Sequence, residues 1–263
     1  MNHIFTEEMF LAGRFSGGLC QIRRICNRIL SFIRTHKQMW VFSYAILYLA
    51  WWSALEDRPL AVYHVIHSPV DDWIPFCEVF IIPYLLWFLY FPAVFLYLLL
   101  TDREKDRFYR YTVFAYTGMT FFLLFSTLYP NTQLLRPRNF PRDNVWTGLL
   151  TLLYRADTST NIFPSIHVYN SIAAHLAILH DPKLSANRTI RTGSAILAGS
   201  IIASTMFLKQ HSVIDVCGGI VFAQLMDRLV YRTDWSELSA RIAAGHRIGT
   251  GQRKNRLRRG IVS

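Results

Sequence analysis

Charge is what this sequence has least of. Only 17% of its 263 residues are Asp, Glu, Lys or Arg, against 52% hydrophobic and 15% aromatic, and the mean hydropathy is +0.22. Long stretches carry no charge at all, which argues against a soluble domain and predicts an integral membrane protein. Acidic side chains are the scarcer sign, 17 against 28 basic, for a net charge of +11. Cysteine is scarce too. Cys20, Cys26, Cys77 and Cys217 have no metal-ligand spacing, so no metal or other cofactor is expected. Cys77 and Cys217 fall in apolar runs and are expected to be small buried residues. Cys20 and Cys26, beside the first apolar run, are candidate acylation sites. The first 37 residues lack an apolar stretch with a small-residue cleavage site, so no cleavable signal peptide is expected.

A span needs about 20 apolar residues, and six segments qualify, near 38–56, 74–100, 108–128, 165–180, 190–208 and 212–231. The fold expected is therefore all-α: a polytopic bundle of six transmembrane helices. Residues 38–231 would be its six-helix membrane domain, 1–37 a basic interfacial segment and 232–263 a basic tail. The long 74–100 run, with Pro75, Pro83 and Pro92, is expected as one kinked, tilted helix. The apolar piece from Val145 to Tyr154 is too short to span and is expected as an interfacial or re-entrant helix.

The cations fix an orientation. Six lie in residues 1–37, four in 101–110, three in 181–191 and nine in 228–263, which is 22 of the 28. By the positive-inside rule these segments and both termini are cytoplasmic, which requires an even number of spans. Anionic inner-leaflet lipids are the expected partners of the basic ends. Nucleic acid is not expected, because the bases flank membrane spans. The remaining cations include Arg136, Arg138, Arg142 and Arg155, in a loop on the side where the rule disfavours them, so a use other than topology is expected for them.

Polar residues that interrupt the apolar pattern mark a site. His211 and Asp215 lie four apart, so on a helix beginning near His211 the carboxylate can hold the imidazole and fix its tautomer. In Asn161–His167, Pro164 and Ser165 suit a first helical turn, and His167 falls where unpaired backbone N–H groups attract anions. Arg136 closes a polar run that starts at Tyr129, and a guanidinium can grip phosphate in bidentate fashion. A clamp, an acid and an oriented nucleophile are the parts that phosphoryl transfer through a phosphohistidine needs. His64 and His67 lack a third ligand and read as surface residues, and His175 as a helix-packing polar group.

These three blocks resemble the membrane phosphatidic acid phosphatase type 2 superfamily, including its inositolphosphotransferase-like and sphingolipid-synthase-like branches. That family carries K-x6-R-P, P-S-G-H and S-R-x5-H-x3-D. This chain has Y-x6-R-P from Tyr129 to Pro137, P-S-I-H from Pro164 to His167 and S-T-x5-H-x3-D from Ser204 to Asp215. Tyr129, Ile166 and Thr205 depart from the pattern, and two of the family's three phosphate-binding cations are absent. The resemblance implies an enzyme acting on a membrane lipid phosphate or pyrophosphate without a metal, with His211 as nucleophile, Asp215 as its support and His167 as acid. It also implies phosphate contacts from Arg136, Ser165 and Ser204. Lys209, by proximity, is a substitute for the absent cations. The site is expected on the extracytoplasmic face of a multi-pass protein of the cell membrane. Hydrolase and head-group phosphotransferase both remain open, with a non-catalytic protein of the same fold as the other class.

Overall fold

The computed structural model describes residues 37–59 and 62–234, with Asn27, Ser31 and Thr35 before them. Most of residues 1–37 and 235–263, including Cys20, Cys26 and nearly all of the two basic terminal segments, lie outside the described residues.

The chain is mostly helical. A 3-10 turn, Lys37–Phe42, leads into α1, Ser43–Glu56. A short α2, Pro69–Trp73, precedes α3, Ile81–Thr101, which a 3-10 turn at Glu78–Phe80 extends at its start. Then come α4, Asp106–Leu128, the short α5, Val145–Ala156, and α6, Ile166–His180. The short α7, Pro182–Ala186, α8, Arg188–Phe207, and α9, Val213–Asp227, complete the set, and a π-helical turn, Arg228–Arg232, continues α9. Two small strands depart from the expected all-α pattern. β1, His64–Val65, pairs in parallel with β2, Asn131–Thr132, and ties the loop after α1 to the loop after α4.

Among the described residues, three helical stretches are long and apolar enough to cross a membrane: Glu78–Thr101, Asp106–Leu128 and Arg188–Phe207. The other three long helices coincide with expected spans but are only 14 to 15 residues each. The long run from residue 74 is trimmed at its start. Pro75 lies before the helix, Pro83 occupies the first turn of α3, where a missing N–H costs nothing, and Pro92 lies inside it. The 145–156 helix is present, and its buried residues Thr147, Leu150 and Leu153 recur every three positions on one face.

Helix α6 is the central element and packs against α3, α4, α8 and α9. Its contact with α4 is close because Gly118 has no side chain: a Cβ there would fall 2.0 Å from the ring of Tyr169. Tyr169 is buried, and its hydroxyl donates to the carbonyl of Phe114 at 2.7 Å. Outward, large apolar side chains stand in the open, among them Leu89, Leu96, Ile196 and Val221. Such a surface suits lipid and not water. Cys217 also faces outward and Cys77 is half-buried, contrary to the expectation that both are core residues; being small and apolar, a thiol is tolerated on a lipid-facing surface.

The bundle has two distinct ends. At one, Arg107 bridges Asp102 at 3.1 Å and Asp181 at 2.5 Å, which joins the α3–α4 turn to the start of α7. At the other end gather the end of α4, the start of α6, the end of α8 and the start of α9, roofed by β1, β2 and α5.

Candidate functional site

Three turns build the site. The first is the loop before α6. Asn131, fully buried, accepts the backbone N–H groups of Ile162 at 2.8 Å and Phe163 at 3.0 Å through its side-chain oxygen, and that of Asn161 through its carbonyl at 2.6 Å. Asn161 itself is in the left-handed region, with φ 53°. This clamp delivers Ser165 as the N-cap of α6, its Oγ accepting from Val168 N at 3.4 Å. The backbone N–H of Ser165 donates to the carbonyl of Asp215 at 3.2 Å, which joins the starts of α6 and α9. Gly219 permits the approach: a Cβ there would be 2.9 Å from the carbonyl oxygen of Ser165.

The second turn joins α8 to α9. The N–H groups of Gln210 and His211 both donate to the carbonyl of Thr205, at 2.9 and 3.0 Å, and Lys209 takes φ 54° to close the turn. Helix α9 begins at Val213, two residues later than expected, with Ser212 as N-cap and Asp215 completing a capping box by accepting Ser212 N at 2.8 Å. His211 is therefore outside the helix. Its Nδ1 nonetheless lies 3.5 Å from Asp215 Oδ2, a charge contact without hydrogen-bond alignment. Asp71 braces this turn from α2, accepting Ser212 Oγ at 2.6 Å and Val213 N at 2.8 Å.

Between these turns His167 and His211 face each other, ring centroids 5.6 Å apart and each 7% exposed. His167 is wedged against the rings of Tyr84 and Trp87, at 4.7 and 4.5 Å. Both histidines line a cavity of about 40 Å³ with Asp157, Thr158, Asn161 and Gln210. Several enclosed atoms here make no hydrogen bond within the chain: Nδ1 of both histidines, Asp215 Oδ1, Gln210 Nε2 and Arg136 Nε. Buried polar groups are normally satisfied, so this cluster of exceptions makes the cavity the candidate site. Among the described residues no three His, Cys, Asp or Glu side chains are grouped to hold a metal ion.

The third turn ends α5 and carries residues the sequence did not single out. Asp157 caps α5, and its Oδ2 accepts the hydroxyl of the fully buried Tyr84 at 3.0 Å. Enclosure pushes its carboxyl above the usual range, opposed by electrostatic interaction with His211 and Arg136 and by the Tyr84 hydrogen bond. Thr158, Thr160 and Asn161 all donate to Glu56 at the end of α1. Gln210 lies within the third motif block and Asp157 in the loop between the first two, and only a polar residue's presence there could have flagged them.

The other expected site residues are placed less simply. Arg136 does not reach into the cavity. Its guanidinium donates to the carbonyls of Tyr154 (3.2 Å), Asp157 (2.8 Å) and Thr158 (2.7 Å) and to Gln210 Oε1, and it stacks 4.4 Å over the Tyr154 ring. Desolvation there lowers its pKa. Ser204 is fully buried and donates to Ile201 O at 2.6 Å, one turn back in its own helix, so it has no place at the cavity. Lys209 also points away. Its Nζ donates to the carbonyls of Asp71 and Ile74, at 2.7 and 2.5 Å, because the left-handed backbone of the turn throws the side chain toward α2; desolvation depresses its pKa, and Asp71 and Asp72 oppose the shift. His175 accepts or donates at Ser194 Oγ, 2.9 Å away, and Ser194 in turn meets Tyr90 at 2.6 Å, a bridge between α6, α8 and α3. His67 pairs with Asp72 at 2.9 Å and His64 stacks on Tyr129 at 4.2 Å. No family model, no curated protein and no solved structure matches the chain, so the resemblance rests on the three motif blocks alone.

Proposed function

We propose that the chain is a multi-pass membrane enzyme of the phosphatidic acid phosphatase type 2 kind, which moves a lipid's phosphoryl group through a phosphohistidine, either from a lipid phosphate or pyrophosphate to water or from a phosphodiester lipid to an alcohol. The observation that carries this reading is the facing pair His167 and His211, with Asp215 behind His211, at one end of the bundle. Two separate motif blocks supply that pair.

In this mechanism Asp215 holds the Nδ1 side of His211, so Nε2 attacks phosphorus and a P–N bond forms as the P–O bond to the leaving group breaks. His167 protonates the leaving oxygen, then takes the proton of the incoming hydroxyl as the P–N bond breaks. With water as acceptor the reaction is a lipid phosphatase; with an alcohol it is a head-group phosphotransferase. The apolar walls from Tyr84 and Trp87 strengthen charge interactions in the transition state. Since the cavity holds only a few water-sized groups, the Arg136–Gln210 contact must open to admit a headgroup. That movement would turn Arg136 from the carbonyls toward phosphate.

All six long helices cross the membrane in this reading. Helix α1 is completed by the 3-10 turn of 6 residues before it, and α9 by the π-helical turn of 5 residues after it. Both termini then face the cytoplasm and the histidines the opposite side, as the cation distribution requires.

The test is chemical. Protein purified in detergent and offered lipids radiolabelled at phosphorus should acquire acid-labile, base-stable label, in the presence of EDTA. His211→Ala should abolish the label, and His167→Ala should let it accumulate. Label that persists in His211→Ala would overturn the proposal.

A further inference from the structure

We infer that Asp157 is a specificity-determining residue, whose carboxylate makes the site select a singly charged phosphodiester over a doubly charged phosphate monoester. The inference rests on the phosphohistidine reading and deepens it.

The cavity that His167 and His211 share contains a carboxylate and no permanent cation: among its described lining residues Asp157 is present and there is no lysine or arginine. The two cations expected nearby are both engaged elsewhere. Lys209 is turned to the carbonyls of α2 and the residue after it, and Arg136 gives its two Nη groups to three carbonyls and Gln210. Even a rotated Arg136 supplies one positive charge against Asp157 in the lining, Asp215 behind His211 and Glu56 behind Thr158.

Asp157 cannot swing aside. Its backbone N–H is held by Leu153 O at 2.9 Å and its Oδ2 by the buried hydroxyl of Tyr84, whose ring lies 4.7 Å from that of His167, and neither contact depends on Arg136. Tyr84 thus fixes the carboxylate relative to the acid of the reaction. Like charges a few ångströms apart in a low-dielectric site repel strongly, and a phosphate dianion meets about twice the repulsion of a monoanion. A phosphodiester carries the single charge, and its second ester group replaces the oxygen that Asp157 would oppose. Around Asp157, the groups that titrate or carry charge are Tyr48 and Glu56 from α1, Tyr84 from α3, Arg136 from the loop, Tyr154 from α5, His167 from α6 and His211 before α9. Arg136 is the only permanent cation in that set.

The experiment compares a lipid phosphodiester with phosphatidic acid on the full-length protein in detergent at pH 7.5. Wild type should turn over the diester with a kcat/KM at least tenfold above the monoester. Asp157→Asn should raise the monoester-to-diester ratio at least tenfold, and Asp157→Glu, which keeps the charge, should hold the wild-type ratio. Tryptophan fluorescence titration with dimethyl phosphate and monomethyl phosphate should give the same ordering without chemistry, since Trp52 lines the cavity. A wild type that prefers the monoester in both measurements overturns the inference even if Asp157→Asn does not fold, as does a ratio that Asp157→Asn leaves unmoved. Failure of the phosphohistidine reading looks different: no label on His211 from either lipid.

Discussion

The two ends of the bundle handle buried charge in opposite ways. At the Arg107 end, Asp181 is 1% exposed and saturated: it accepts from Arg107, from Tyr97 and from the N–H groups of Lys183 and Leu184. Asp102 there accepts from Arg107 and from Phe108 N, and only Asp227, with His180 at 3.8 Å from its Oδ1, leaves an oxygen poorly served. At the histidine end, Asp215 is as deeply buried, yet Oδ1 has no partner and its histidine stands out of hydrogen-bond alignment. Buried carboxylates beside the histidines are also held, Asp71 by Ser212 and Val213 and Glu78 by Arg142, so what sets this end apart is the cluster of unpaired polar atoms around the two histidines themselves. Backbone strain follows the same division, with two of the three non-glycine positive φ values, Asn161 and Lys209, in the turns that present the histidines.

The contrast can be broken most sharply at Asp215. Asp215→Asn should keep the capping contact to Ser212 and cost little stability, but lower kcat by about 10³-fold or more, because the imidazole loses the charge that orients it. Steady-state kinetics with thermal unfolding in detergent would check both parts; a large loss of stability with normal turnover per folded molecule would make Asp215 structural. Arg107→Ala is the mirror experiment. It strands two buried carboxylates and should destabilise the fold by about 3–5 kcal/mol, while the molecules that remain folded turn over normally.

Gly219→Ala lies between these cases. The new methyl meets the carbonyl of Ser165, so the starts of α6 and α9 must part, at a cost of about 1–3 kcal/mol and with a loss of activity larger than that of a matched substitution at Gly199, where a Cβ meets nothing. The smallest effect concerns pH. Folding raises the carboxyl of Asp157, so the folded state holds that proton more tightly than the unfolded chain, and the associated stability is present below the unfolded pKa and lost as pH rises through the folded one. Asp157→Asn should accordingly leave the melting temperature unchanged near pH 4 and raise it modestly near pH 8. A variant less stable than wild type at pH 8 would mean that Asp157 supports the turn more than it strains it.

Much of this molecule is legible in residue order. Apolar runs place the long helices to within about five residues, except that the run from residue 74 becomes α-helical only at Ile81. The Val145–Tyr154 run is legible as a short helix and Ser165 as part of the first turn of α6, where a short hydroxyl side chain satisfies free N–H groups, whereas Ser212, which caps α9, is not singled out in the sequence. His211 and Asp215 are found by local spacing because their relation is set within one turn of chain, whereas the meeting of His167 with His211 is made across the bundle.

Contacts made across the bundle are a different matter. Proximity in sequence suggested that Lys209 serves phosphate, but one left-handed residue turns its side chain toward α2. Arg136 sits at its motif position, yet the carbonyls at the end of α5 take up its donors, and Asp157 enters the site from a turn ten residues before His167. The sequence by itself determined the helices and the histidine–aspartate spacing, because period and length act over a few residues. Which charges meet in the cavity only the tertiary structure decided, because that depends on how α1, α3, α5 and the α8–α9 turn are brought together and on which donors their packing has already used.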